Sequence, residues 1–143
     1  MSVKENISIV KEKIEQAAIQ SGRTSDDIRL IAVSKTKSTE MIRQALSVSQ
    51  VAFGENRIQE ALVKIEELNE TPNVEWHLIG HLQKNKVKFC PGIFQWIHTL
   101  DSIELGDKLE ARCASAQNNI NVLLQVNFSQ EITKFGLHAW EDV

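Results

Sequence analysis

Apolar positions along this chain repeat with two different periods, and the chain switches between them many times. Ile7, Val10, Ile14, Ala17 and Ala18 recur at helical spacing among lysines and glutamates, which predicts an amphipathic helix ending near Gln20, where Ser21-Gly22 supplies a stop. Residues 28–34 form an apolar run with strand character. Residues 39–48 return to helical spacing through Met41, Ile42, Ala45 and Leu46. A short strand is expected over 51–55, and then a helix over 57–69 with Ile58, Ala61, Leu62, Ile65 and Leu68 on one face. The pattern continues with a strand over 74–80, a short helix over 82–89, a strand over 94–100, a helix over 102–117 and a strand over 120–128. "LHAWEDV" at 137–143 reads as the start of another helix.

Strands alternating with helices argue for parallel βα units in a single α/β domain over residues 1–143. Several strands are apolar on both faces, as buried parallel strands are. Polar and glycine residues gather just after each strand: Lys35, Gly54-Glu55-Asn56, Gly80-His81, Asp101-Ser102 and Asn127-Ser129. Parallel α/β folds bind ligands outside the carboxyl ends of their strands, so five clusters on that edge point to a site there. Five parallel strands fit an open doubly wound sheet. They also fit the first part of a closed eight-stranded barrel, which takes about 250 residues. The pattern does not choose between them.

Composition narrows the partners. Of 143 residues, 42% are hydrophobic and 24% charged, as in an ordinary globular domain, and the net charge of −3 gives no general attraction to nucleic acid or anionic membrane. Cys90 and Cys113 are too few and too far apart for a disulfide framework or a zinc site. No segment approaches the roughly 20 apolar residues that cross a bilayer. The N-terminus mixes charges throughout, unlike a signal peptide, and a cytoplasmic location is expected.

The chemistry starts at "IAVSKTK". Strand alternation puts Lys35 on the face of Ile31 and Val33, aiming an amine in the direction of core residues. A lysine amine can condense with an aldehyde, and pyridoxal phosphate and sugar-phosphate aldehydes are common partners. On "AVSK" alone, a lysine reaching from the strand end into solvent is the simpler reading. In "GENRIQEA", Gly54 admits a close approach to a flat ring and Asn56 offers a neutral amide, or else Asn56 caps the following helix. His77 lies within a strand, where a single histidine is usually a satisfied core residue. Lys84, Lys86 and Lys88 read as a solvated face.

Taken together, "AVSKTK", "FGEN..QE", "WHLIGHLQKNK", "HTLDS" and "VNFSQEITKFG", in this order and spacing, resemble the pyridoxal-phosphate homeostasis proteins, single-domain relatives of the alanine-racemase N-terminal barrel. The resemblance runs to about His138. It implies a fold-type-III (β/α)8 barrel holding pyridoxal 5′-phosphate as a Schiff base on Lys35. Lys37 would lie just outside the cofactor ring, Asn56 and His77 would line the pocket, and Lys134 would match a loop lysine associated with moving the cofactor. It further implies intracellular cofactor homeostasis or delivery without robust catalysis, hence no catalytic residues and no metal.

The chain has Ser38 where the family usually has proline and Ser49 where it usually has glycine. It is also shorter than the family, so the last strands and the turns that hold the cofactor phosphate are expected to be missing. An incomplete barrel would expose edges through which copies could self-associate. One alternative is a racemase- or decarboxylase-like enzyme, against which stand the absence of any tyrosine and of a second domain. The others are a Schiff-base aldolase that needs no cofactor, and a fragment that binds nothing without the missing strands.

Overall fold

Helix α1 spans Val3–Gln20 and opens on a capping box, in which the Ser2 hydroxyl accepts from the Glu5 N–H and the Glu5 carboxylate accepts from the Ser2 N–H. It ends two residues before Gly22, whose φ of 70° turns the chain away. This computed structural model describes residues 1–129 and 131–137. The helix read over 137–143 lies outside the described residues apart from Leu137.

Beyond α1 come β1 (Ala32–Val33), α2 (Thr39–Leu46), β2 (Ala52–Glu55), α3 (Ile58–Glu67), β3 (Glu75–Leu78), β4 (Trp96–Leu100), α4 (Ile103–Ser115) and β5 (Asn121–Leu124). Short 3-10 turns cover Ser25–Asp27 and Lys84–Phe89, so the helix expected over 82–89 is a tighter, shorter element. All four strand pairings are parallel, and the spatial order is β1-β2-β3-β4-β5. That order settles what the hydrophobic pattern left open. A doubly wound sheet reverses its strand order at a switch point. Right-handed crossovers between sequential neighbours instead put every connecting segment on one side, as a (β/α) barrel does. The chain forms a five-stranded sector of such a barrel, and among the described residues the sheet does not close on itself.

The two faces of the sheet differ. Ala32, Phe53 and Trp76 lie in one register row, and Glu55, Leu78 and Ile97 lie two residues further along on the same face. This face carries the core, where Phe53, Trp76, Leu78 and Ile97 pack with Ile42, Ala61, Phe94, Leu105 and Leu109 from the connecting segments. The alternate row, Val33, Gly54, His77, Trp96 and Asn121, faces the concave side. Val33 is 52% exposed there.

β1 is much shorter than the expected 28–34. It is an edge strand with one partner, and part of its backbone is satisfied elsewhere. The buried Gln50 amide donates to the Leu30 and Ala52 carbonyls at 2.8 Å each, in place of ladder bonds. β5 is shorter than 120–128 as well, and the pairing beyond it is a single bridge from Val126 to Leu137. Cys90 and Cys113 are both free thiols. Among the described residues, no helix is long and apolar enough to cross a membrane.

Candidate functional site

Parallel pairing brings the carboxyl ends of all five strands to one edge, and Lys35 stands at the end of the first. Ser34 to Lys37 form a tight turn in which the Lys37 N–H donates to the Ser34 carbonyl at 3.0 Å. Lys35 is the first central residue of this turn. Thr36 is the second, with φ of 63°, a position that suits glycine and strains a β-branched residue. Strand β1 ends at Val33, so the parity that would put Lys35 on the face of Ile31 and Val33 does not extend to it. Lys35 and Lys37 are both exposed in the turn beyond the strand end, not in the helix-packed core.

A buried ionic cluster lies beneath the turn. Glu55 and Lys64 are 0% and 6% exposed. The Lys64 ammonium donates to Glu55 Oε1, to Glu60 Oε1 and to the Ser34 carbonyl, each at 2.7 Å. The Ser34 hydroxyl donates to Glu55 Oε1 at 2.6 Å, and the Thr36 N–H donates to Glu60 Oε1. All three Lys64 protons are thus used, and buried charge is paired as its desolvation cost requires. Glu55 Oε2 is buried with no partner among the described residues. The Lys64 ammonium and the Thr36 N–H both favour the charged form of Glu60 and hold its carboxyl below the usual range. Sequence reading passed over Lys64. The available signal was the Glu60–Lys64 spacing of four on a helix, which is common on solvated faces and points to nothing by itself.

Asn56 follows β2 and is half-buried. Helix α3 starts at Ile58 with Arg57 at the cap position, so Asn56 is not its N-cap. Its backbone is pressed against Gly80, where a Cβ would lie 2.2 Å from the Asn56 carbonyl oxygen. Only glycine permits that approach between the ends of β2 and β3. Gly54 is explained by its neighbours: a Cβ there would meet Ile79 at 2.9 Å and Ile31 at 3.3 Å on the concave side.

His77 sits in the concave row of Val33 and Gly54, two residues short of the level of Lys35, and is 1% exposed. Its Nδ1 is 2.9 Å from His98 Nε2, its Nε2 is 2.9 Å from Glu75 Oε1, and its ring stacks on Trp96 at 6.1 Å between centroids. Burial disfavours the cationic form of both histidines and lowers both pKa values. For His77 the Glu75 carboxylate opposes the effect, and His98 and Arg29 add to it. His98 is the second histidine of this floor, and its place in "FQWIHTL" gave no separate signal.

Lys134 lies in the loop after β5, 60% exposed along its side chain and paired with Glu131 at 2.7 Å. Buried Asn127 shapes that loop by donating to the Glu131 and Lys134 carbonyls, and Phe135 stacks on His81 at 3.7 Å between centroids. Lys35, Lys37, Asn56 and Lys134 therefore all lie beyond the strand ends, and His77 lies deeper. A cavity of about 400 Å³ opens at this end between Asn56, Gly80, His81 and Lys86. A larger cleft of about 670 Å³ lies at the opposite end, between α1 and the segments before β1 and β2. Barrel sites occupy the carboxyl end, so size does not decide between the two.

No protein-family model matches the chain. It is 37% identical over 142 residues to the pyridoxal phosphate homeostasis protein of Haemophilus influenzae, covering 99% of this chain and 60% of that relative. PipY of Synechococcus elongatus, solved without and with PLP bound, superposes with TM-scores of 0.77 and 0.75 at 36% and 35% identity. These matches cover 87% of this chain and 58% and 57% of PipY. Histidine racemase from Leuconostoc mesenteroides superposes over 99% of this chain and 35% of its own, with a TM-score of 0.70 and 17% identity, a likeness of fold alone. The chain spans about three-fifths of the curated relative it matches.

Proposed function

Because this chain is homologous to the pyridoxal phosphate homeostasis proteins over about 60% of their length, we propose that it binds pyridoxal 5′-phosphate through Lys35 and serves the intracellular handling of that cofactor. The observation that carries the reading is the placement of Lys35. It stands just beyond the carboxyl end of β1, exposed, in a turn held by hydrogen bonds to a buried ionic cluster. The residues present fit the aldehyde end of such a cofactor. The group supplies a carbonyl that a lysine amine captures with loss of water. Asn56, at the end of the next strand, contributes an amide for orientation. His77 and Trp96 form a stacked aromatic floor beneath. Lys37 and Lys134 are exposed cations beyond the strand ends, suited to guiding an anionic ligand in or out.

A cofactor-handling role is preferred to racemase-like catalysis. The His77–His98 pair lies below the level of Lys35, and burial disfavours the cationic form of both rings. A cytoplasmic location belongs to the same proposal and agrees with the free thiols of Cys90 and Cys113. Self-association through the open sheet edges is a further part of it.

The test is spectroscopic. Addition of pyridoxal phosphate should produce the visible band of a lysine-bound cofactor, and borohydride should fix the cofactor on the peptide carrying Lys35. Lys35→Ala should remove at least 90% of the label at that peptide. A folded chain with no band at saturating cofactor rejects the reading, and turnover of an added amino acid would replace it with the enzymatic one.

A further inference from the structure

We propose that Lys64, with Glu55 and Glu60, is a positioning device for Lys35. The inference rests on the reading of Lys35 as the attachment lysine, and it assigns the buried cluster a role beyond holding the fold. The cluster grips the chain on both sides of Lys35. On one side the Ser34 carbonyl accepts from Lys64 at 2.7 Å and the Ser34 hydroxyl donates to Glu55 at 2.6 Å. On the other the Thr36 N–H donates to Glu60. Lys35 itself has no hydrogen bond to the cluster among the described contacts. Its direction is therefore set through its backbone neighbours.

The conformation of Thr36 shows why a grip is needed. A β-branched residue at φ of 63° is disfavoured, and such a conformation persists only where the surroundings over-determine it. Glu60 supplies the determination, because its carboxylate takes the Thr36 N–H that the turn leaves pointing inward. Lys64 holds that carboxylate in place at 2.7 Å while holding Ser34 with a second proton. Without Glu60, Thr36 would relax toward negative φ. The turn would open, the direction of Lys35 would no longer be fixed, and Lys37 could take the aldehyde instead. The cluster is built from three elements, the end of β1, the end of β2 and the first turns of α3, so it ties the turn to the rigid sheet.

Glu60 is the residue to change, because it is the partly exposed member of the cluster and its loss leaves Lys64 paired with Glu55. In Glu60→Ala, amide hydrogen exchange at Thr36 should accelerate at least tenfold while amides of β2 and β3 stay protected. After loading with pyridoxal phosphate and borohydride reduction, peptide mapping should show the ratio of label on Lys35 to label on Lys37 falling at least tenfold. Glu60→Ala/Thr36→Gly should restore that ratio, because glycine adopts the left-handed conformation without help. A general weakening of the fold would instead accelerate exchange of the β2 and β3 amides along with that of Thr36. Unchanged exchange at Thr36, or an unchanged label ratio, overturns the positioning role, as does failure of the glycine to restore the ratio. An unlabelled Lys35 in the unsubstituted chain instead rejects the attachment reading, and the positioning role with it.

Discussion

The two ends of this barrel sector solve the same backbone problem differently. At the carboxyl end, Thr36 takes a left-handed conformation and a buried cluster of three charged side chains holds it. At the amino end, Ser49 takes a left-handed conformation too, with φ of 59°, and follows the last turn of α2. What holds it is ordinary helix-end bonding: the Gln50 N–H returns to the Ala45 carbonyl, and the partly buried Lys11 donates to the Val48 and Ser49 carbonyls. The larger cleft lies at the amino end, but buried ionic structure is concentrated at the carboxyl end. Buried charge is costly, and its presence under a strained turn marks the end where geometry matters.

The sharpest way to break this contrast is Lys64→Met. It strands the buried Glu55 carboxylate without its cation, and stability to urea should fall by about 3–5 kcal/mol. Should the variant fail to fold, Lys64→Met/Glu55→Leu removes the stranded charge and should recover most of the loss. A cost below about 1 kcal/mol for the single change would mean that the cluster is solvated like a surface ion pair. Gly80→Ala comes next. Its Cβ would sit 2.2 Å from a backbone oxygen, which cannot swing away as a side chain can. About 1–3 kcal/mol of destabilisation is expected by the same denaturation assay.

The concave floor gives a pH signature of intermediate size. His77 and His98 have folded-state pKa values below the unfolded value of 6.5, chiefly through burial. Their neutral burial therefore contributes full stability above that value. As pH falls below it, protons bind the unfolded chain first, and the contribution is lost as pH approaches the folded pKa values. The urea midpoint should decline from pH 7 to pH 5, by no more than about 1.4 kcal/mol per pH unit for each histidine. The groups facing His77 are Glu75, His98 and Arg29, and the observed slope belongs to that set. His98→Asn should flatten the decline, whereas a flat profile in the unsubstituted chain would show that the floor is open to water.

Much of this architecture could be read from hydrophobic spacing. Five strand regions and the helices between them follow from runs such as Ile58, Ala61, Leu62, Ile65 and Leu68, because burial of one helix face leaves a periodic record. Strand lengths were less legible. Pairing at an edge depends on partners such as Gln50, whose side chain takes the Leu30 carbonyl from 20 residues away. Parity put Lys35 on the face of Ile31 and Val33, but β1 ends at Val33 and Lys35 lies exposed in the turn beyond it, where strand alternation no longer applies. The Glu55–Lys64 pair was the hardest to foresee. A Lys–Glu spacing on a helix is ordinary at the surface, and only the packing of α3 over the ends of β1 and β2 makes it interior. Resemblance to a family carried the chemistry that spacing could not.

Ser49→Gly is the smallest of these effects and the cleanest control. A left-handed φ of 59° penalises any residue with a Cβ. Glycine removes that penalty but loosens the unfolded chain, so the net gain should be about 0.5–1 kcal/mol. Because the residue lies at the amino end of the barrel, the amount of pyridoxal phosphate fixed on Lys35 should not change. A gain in stability with unaltered labelling would separate the two left-handed positions by role as well as by place. If Ser49→Gly altered the labelling of Lys35, the two ends would be coupled through α2, which begins at Thr39 just after the turn and ends at Leu46 just before Ser49. The division between a scaffold end and a site end would then have to be abandoned.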